Sequence, residues 1–267
     1  MALVNYDSSC SSDEQEETNL ETFEAPKSKM PKLSETAEDK KALPCAVSLL
    51  GAKNTGDVVH NAHADDPTEH DGRVRSFKHE RGNWATYVYI KAMSDQLEDM
   101  QEVSQGALAG VVDCLHAIED LHISLSRTVV LQYHHIDSFV ESLRTTLEVS
   151  GSFSISLRRL HIYTNAERTR TFIALKVDDM YFEKVHQLMA KVDGVMKEYR
   201  LQLFYEEPSF HISFMWCLGD KVAVLNEHLD TLKSAINVVL GDSEAISLFI
   251  HEINCKSGNK EFVFKLK

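Results

Sequence analysis

The chain has 267 residues, 43% of them hydrophobic, enough apolar surface for one sizeable core or two small ones. Its formal charge of −13 argues on its face against a nucleic-acid partner, but the charge is uneven: residues 1–72 hold 15 acidic and 6 basic side chains, the remainder 26 and 22, so a long basic groove is not expected while room is left for a small phosphate site. The five cysteines (Cys10, Cys45, Cys114, Cys217, Cys255) form no C-x-x-C pair, no run of about 18 apolar residues marks a membrane span, and the acidic start lacks the apolar core of a secretion signal.

In chain order, residues 1–72 read as a disordered acidic tail, too polar to bury the surface that would offset ordering. Within it His60, His63, His70 and Asp71 could be taken for a metal cluster, although a solvated loop suits them better, and no metal or cofactor is expected. A folded domain is expected over 73–267. Ala85–Ile90 is strand-like, a helix follows from Met93 to Ile118, and a strand covers 121–126. A helix over Ile136–Val149 puts Phe139, Leu143 and Leu147 on one face, and "SFSISLRRLHIY" alternates as a strand over 152–163. The order then repeats. "RTFIALKV" is a strand, and Tyr181–Tyr199 a helix with Phe182, Val185, Met189, Val192 and Met196 in one stripe. A strand covers 210–216 and a helix 221–240. The strands "AISLFIHEI" and "EFVFKLK" close the chain around the turn "KSGNK". Trp84 lies 38 residues before His122 and Phe172 lies 39 before His211, as a duplication would have it. The expected fold is α+β: two pseudo-twofold lobes, about 73–163 and 164–267, with antiparallel sheets flanking a central cleft and helices outside.

Both halves carry His-Ile-Ser, at His122, Ile123, Ser124 and again at His211, Ile212, Ser213. A lone histidine in a strand is usually structural, and one H-x-S is expected by chance. Here two identical triplets occupy equivalent strands of a duplicated pattern. In each, His and Ser sit two apart and so share a face, while the isoleucine points to the other. Two histidines facing one phosphodiester can remove a proton from an attacking hydroxyl and deliver one to the leaving oxygen, and two hydroxyls can hold the non-bridging oxygens. No G-x-S-x-G elbow supports a serine hydrolase.

Paired H-x-S motifs in such a frame resemble the two-histidine phosphoesterase superfamily. The stretches "DGRVRSFKHERGNWATYVYI", "HIYTNAERTRTFIAL" and "FYEEPSFHISFMW" resemble, more narrowly, the U6 small nuclear RNA phosphodiesterase family, over roughly residues 70–267. That resemblance implies a metal-independent 3′-to-5′ exoribonuclease of the nucleus. It would trim the single-stranded uridine and adenosine tail of U6 RNA, releasing nucleoside monophosphates and leaving a 2′,3′-cyclic phosphate. It implies His122 as proton acceptor, His211 as proton donor, and Ser124 and Ser213 as phosphate-binding hydroxyls. Tyr205 would stack on the terminal base, with Glu207, Pro208, Ser209 and Phe210 in the nucleoside loop and Ile123 and Ile212 inside the motifs. Ala166 falls where some relatives place a polar side chain near uracil. A monomer with RNA as partner and no membrane association is expected. The rivals are a phosphodiesterase of small 2′,3′-cyclic phosphates and an RNA-binding module without catalysis.

Overall fold

The computed structural model describes Glu80 and residues 82–267; the expected tail, its boundary at 73 and the histidines of 60–70 lie outside these. Strand β1 (Asn83–Lys91) leads to helix α1 (Asp95–Ala107) and short strands β2 (His116–Ala117), β3 (His122–Ser124) and β4 (Val129–Gln132). Helix α2 (Ile136–Leu147) and the hairpin β5 (Phe153–Thr164) and β6 (Arg170–Val177) follow, then α3 (Phe182–Glu198) and β7 (His211–Leu218). The chain closes with α4 (Val222–Glu227), α5 (Leu229–Leu240), β8 (Ile246–Ile250), β9 (Glu252–Ser257) and β10 (Lys260–Lys265).

The strands form one antiparallel sheet in the order β10-β9-β1-β3-β7-β6-β5-β8, with β4 beside β1 and β2 beside β7. Two sheets were expected; the pair Ile123–Ile212 joins the halves into one. The lobes also divide differently. The C-terminal hairpin β9–β10 lies beside β1, and β5 lies beside β6, so neither half is a continuous stretch cut near 163. Strands β8 and β9 lie towards opposite edges yet are joined through His251 alone, which requires the sheet to curl. The amide of Ser152 donates to the carbonyl of Lys267 (2.6 Å) and the amide of Lys267 to that of Ser150 (2.8 Å), tying the chain beyond β10 to the start of β5.

The core lies on one side of the sheet. Ile90, Ile123, Leu125, Ile212 and Phe214 from the strands pack with Leu97 and Met100 of α1, Phe139 and Leu143 of α2, Val185 and Val192 of α3, and Leu232 and Ile236 of α5. The apolar stripes expected on α2 and α3 are the buried ones, because a helix laid on a sheet buries positions three and four apart. Helix α1 stops eleven residues before the expected Ile118. Gly110 adopts φ +78°, a left-handed conformation that interrupts helix at little cost for glycine, and the chain turns toward β2. The single helix expected over 221–240 breaks at His228 into α4 and α5.

One glycine is fixed by a close approach. Gly258 opens the two-residue turn between β9 and β10 at φ +57°, and a Cβ there would sit 2.3 Å from Trp84 Cε3. Replacing Gly258 with alanine should therefore cost about 2 kcal/mol or more, from left-handed strain plus overlap with a rigid ring. Denaturant titration checks this, and an unchanged midpoint would contradict it. Trp84 is thus a packing residue, in ring contact with Tyr133 (5.5 Å).

Candidate active site

Because β3 and β7 pair antiparallel about Ile123–Ile212, His122 faces Ser213 across the strands and Ser124 faces His211. All four side chains emerge on the face away from the helices, while Ile123 and Ile212 are fully buried beneath them. The next strands extend these rows. Tyr89 of β1 pairs with Ser124 and Lys91 with His122; Lys176 of β6 pairs with His211 and Ala174 with Ser213. A lysine therefore stands beside each histidine in the register, as the pseudo-twofold requires.

Both imidazoles are held in the same way. His122 Nδ1 lies 2.6 Å from the carbonyl of Asp120, and His211 Nδ1 lies 2.6 Å from the carbonyl of Ser209, each two residues upstream. A carbonyl only accepts, so Nδ1 carries the hydrogen in both rings and Nε2 is left to give or take a proton. Rings fix the orientation further. His211 stacks on Tyr163 with centroids 4.1 Å apart and planes 19° from parallel, and His122 meets Tyr89 edge-on at 5.4 Å. The Tyr163 hydroxyl shares a 2.7 Å hydrogen bond with the Ser209 hydroxyl, which anchors the loop supplying the His211 carbonyl.

Burial holds both rings below the ordinary imidazole value of 6.5, and takes His211 down to about 4. The carbonyl bonds oppose the shift. The nearby positive charges, Lys256 for His122 and His122, His161 and Lys176 for His211, add to it. The site is poised to accept an anion: a phosphate between the rings would supply the negative charge that restores their basicity.

A cavity of about 590 Å³ opens over the four residues, its walls including His116, Asp120, Phe172 and Trp216. Of the residues expected from sequence, His122, Ser124, His211 and Ser213 line it together. Tyr205 lies outside that wall, packed against the cluster of Tyr163 and Ala174 and under the Arg127 guanidinium, whose Cζ is 4.0 Å from the ring centre. Glu207 is exposed and Pro208 half-buried in the loop before Ser209. Phe210 is 2% exposed between Phe182 and Phe204, so it and the two isoleucines offer a ligand only backbone. Ala166 lies in the β5–β6 turn, away from the cavity, and Arg168 in the same turn is paired with Asp220. Sequence reasoning missed Tyr163, Tyr89, Lys176 and the two carbonyls; the period-two placement of Tyr163 on β5 was the one available signal.

A family model described as an uncharacterised conserved protein, HVSL, matches residues 41–265. A Drosophila melanogaster protein named U6 snRNA phosphodiesterase 1 is 46% identical over all of both chains. This chain belongs to the U6 snRNA phosphodiesterase family. A Homo sapiens family member of the same name is 34% identical over 99% of this chain and 98% of its own. The solved structure of Kluyveromyces marxianus Usb1 with uridine monophosphate is similar at a TM-score of 0.46 and 17% identity, over 69% of this chain and 97% of that one.

Proposed function

We infer that this chain is an RNA phosphodiesterase that trims the 3′ end of U6 small nuclear RNA by acid–base chemistry between His122 and His211. The observation that carries the reading is the pair of imidazoles with identical Nδ1–carbonyl bonds, each leaving Nε2 toward one cavity. His122 Nε2 takes the 2′-hydroxyl proton of the penultimate residue as O2′ bonds to phosphorus. The P–O5′ bond breaks, and O5′ receives the proton from His211 Nε2. Phosphorus stays on the shortened RNA as a 2′,3′-cyclic phosphate. From a 3′-hydroxyl end the first residue to depart is therefore a nucleoside with a 5′-hydroxyl, and each later one carries the 2′,3′-cyclic phosphate formed in the turnover before, so the monophosphates implied by the resemblance are cyclic ones.

Placing His211 beside the leaving oxygen is supported by Tyr205 packing against the Tyr163–Ala174 cluster whose Tyr163 ring stacks on His211, since the terminal nucleoside is the leaving group. A tail of uridines and adenosines suits an aromatic platform, because stacking accepts any base. Gripping only the last residues needs few phosphate contacts, which fits a domain whose charged residues nearly balance. The reading carries with it a nuclear location, a place in splicing, and action as a monomer.

The test is incubation with oligouridine-tailed RNA and with a small 2′,3′-cyclic phosphate, side by side in EDTA, with mass spectrometry of the RNA end. Shortened RNA ending in cyclic phosphate is the expected product. Turnover of the small cyclic phosphate alone, or RNA binding without cleavage, would overturn the assignment.

The pH dependence follows from the depressed imidazoles. The base must be neutral, so activity falls as pH drops through its pKa; the acid must be protonated, so activity falls as pH rises through its own. Both values are lowered by burial in the free protein, so the kcat/KM optimum should lie below pH 6.5. The kcat profile should lie higher, because bound phosphate raises both rings. A kcat/KM optimum above 7.5 would contradict the burial effect.

A further inference from the structure

The duplication reaches beyond the two triplets. His116 lies six residues before His122, as Tyr205 lies six before His211; Trp216 lies three after Ser213, as Arg127 lies three after Ser124. In the folded chain these residues meet in matching pairs. The Arg127 guanidinium caps the Tyr205 ring at 4.0 Å, and Trp216 stacks on His116 with centroids 4.5 Å apart and planes at 19°. Strand β2 exists to make the second pair, since His116 pairs with Trp216 in the β2–β7 register. The pseudo-twofold that exchanges the histidines thus exchanges two stacks, each built from one residue of either half.

We propose that the His116–Trp216 stack is a second nucleoside platform, holding the base of the residue 5′ to the scissile phosphate. This rests on the RNA-cleavage reading above. A phosphodiester carries one nucleoside on each side of phosphorus. A phosphate near the pseudo-twofold presents those nucleosides to symmetry-related positions, so if Tyr205 serves one, the His116–Trp216 pair serves the other. That pair lines the same cavity as both catalytic histidines. Glu119 and Asp120 line it too, against the single guanidinium of Arg170, and this acidic excess favours a neutral base and ribose over a second phosphate beside His116. Fixing that base orients the ribose whose 2′-hydroxyl attacks, so the stack contributes to alignment as well as affinity. Base identity matters little to a π-stack, consistent with tails of mixed composition.

The experiment compares kcat/KM for the dinucleotide UpU with that for an analogue whose 5′ residue keeps the 2′-hydroxyl but has hydrogen in place of the base. The protein as it stands should lose about tenfold or more on the analogue. His116→Ala should lose a similar factor on UpU and show less than about a twofold further loss on the analogue, while His116→Phe should restore the base dependence. Equal turnover of both substrates by the unaltered protein overturns the second platform and needs no variant to fold. An undiminished base dependence in His116→Ala also overturns it. Failure to cleave either dinucleotide or a uridine tail would instead sink the phosphodiesterase reading.

Discussion

Replacing His122 with alanine should slow single-turnover cleavage of uridine-tailed RNA by about 10²–10⁴-fold, and replacing His211 should do the same, because each removes one proton transfer. RNA affinity should stay within about threefold, since the serines, lysines and stacking rings remain. The double variant should be little worse than either single one, as parts of one proton relay are not additive. The two losses separate by leaving group. A substrate with sulfur in place of the bridging 5′-oxygen departs as a thiolate and needs no acid. His211→Ala should therefore recover most of its rate on that substrate, and His122→Ala should not. Recovery by His122→Ala instead would reverse the roles. Either alanine variant keeping more than about a tenth of the parent rate would remove the two-histidine mechanism altogether.

The legible parts of this molecule are those that depend on local periodicity. The face shared by His and Ser in each triplet follows from the alternation of a strand, and the buried stripes of α2 and α3 from helical spacing. What stayed hidden depends on pairing across distance. Nothing in "AISLFIHEI" says that its first half joins β5 while its second crosses to β1; the break at His251 is a property of the curled sheet. Strand β4 is four residues long and falls between the strand expected to end at 126 and the helix expected from Ile136, where only its pairing with Trp84 and Ala85 defines it. The carbonyls of Asp120 and Ser209 set the histidine tautomers, yet a carbonyl has no letter in a sequence. The facing register His122–Ser213 and Ser124–His211 is of the same kind. Two identical triplets suggest symmetry, but only the antiparallel pair at Ile123–Ile212 makes each hydroxyl the neighbour of the opposite half's imidazole.

That register carries the second large expected effect. A serine beside each histidine can donate its Oγ–H to a non-bridging oxygen as charge builds on phosphorus. Removing one such donor from a preorganised site costs about 10²–10³ in kcat. Ser124→Ala and Ser213→Ala should each fall in that range with KM changed by less than about threefold, because the bond strengthens in the transition state more than in the bound substrate. Both hydroxyls are half-buried over a core that sits on the far side of the sheet, so the alanine variants should keep the parent's unfolding midpoint. The two positions are distinguishable. They approach phosphorus from opposite strands, so each serves a different non-bridging oxygen. Sulfur substituted at one of those oxygens should slow the parent enzyme, and should slow Ser124→Ala much less for one diastereomer and Ser213→Ala much less for the other. If both variants lose sensitivity to the same diastereomer, the two hydroxyls share one oxygen and the pseudo-twofold does not extend to the transition state.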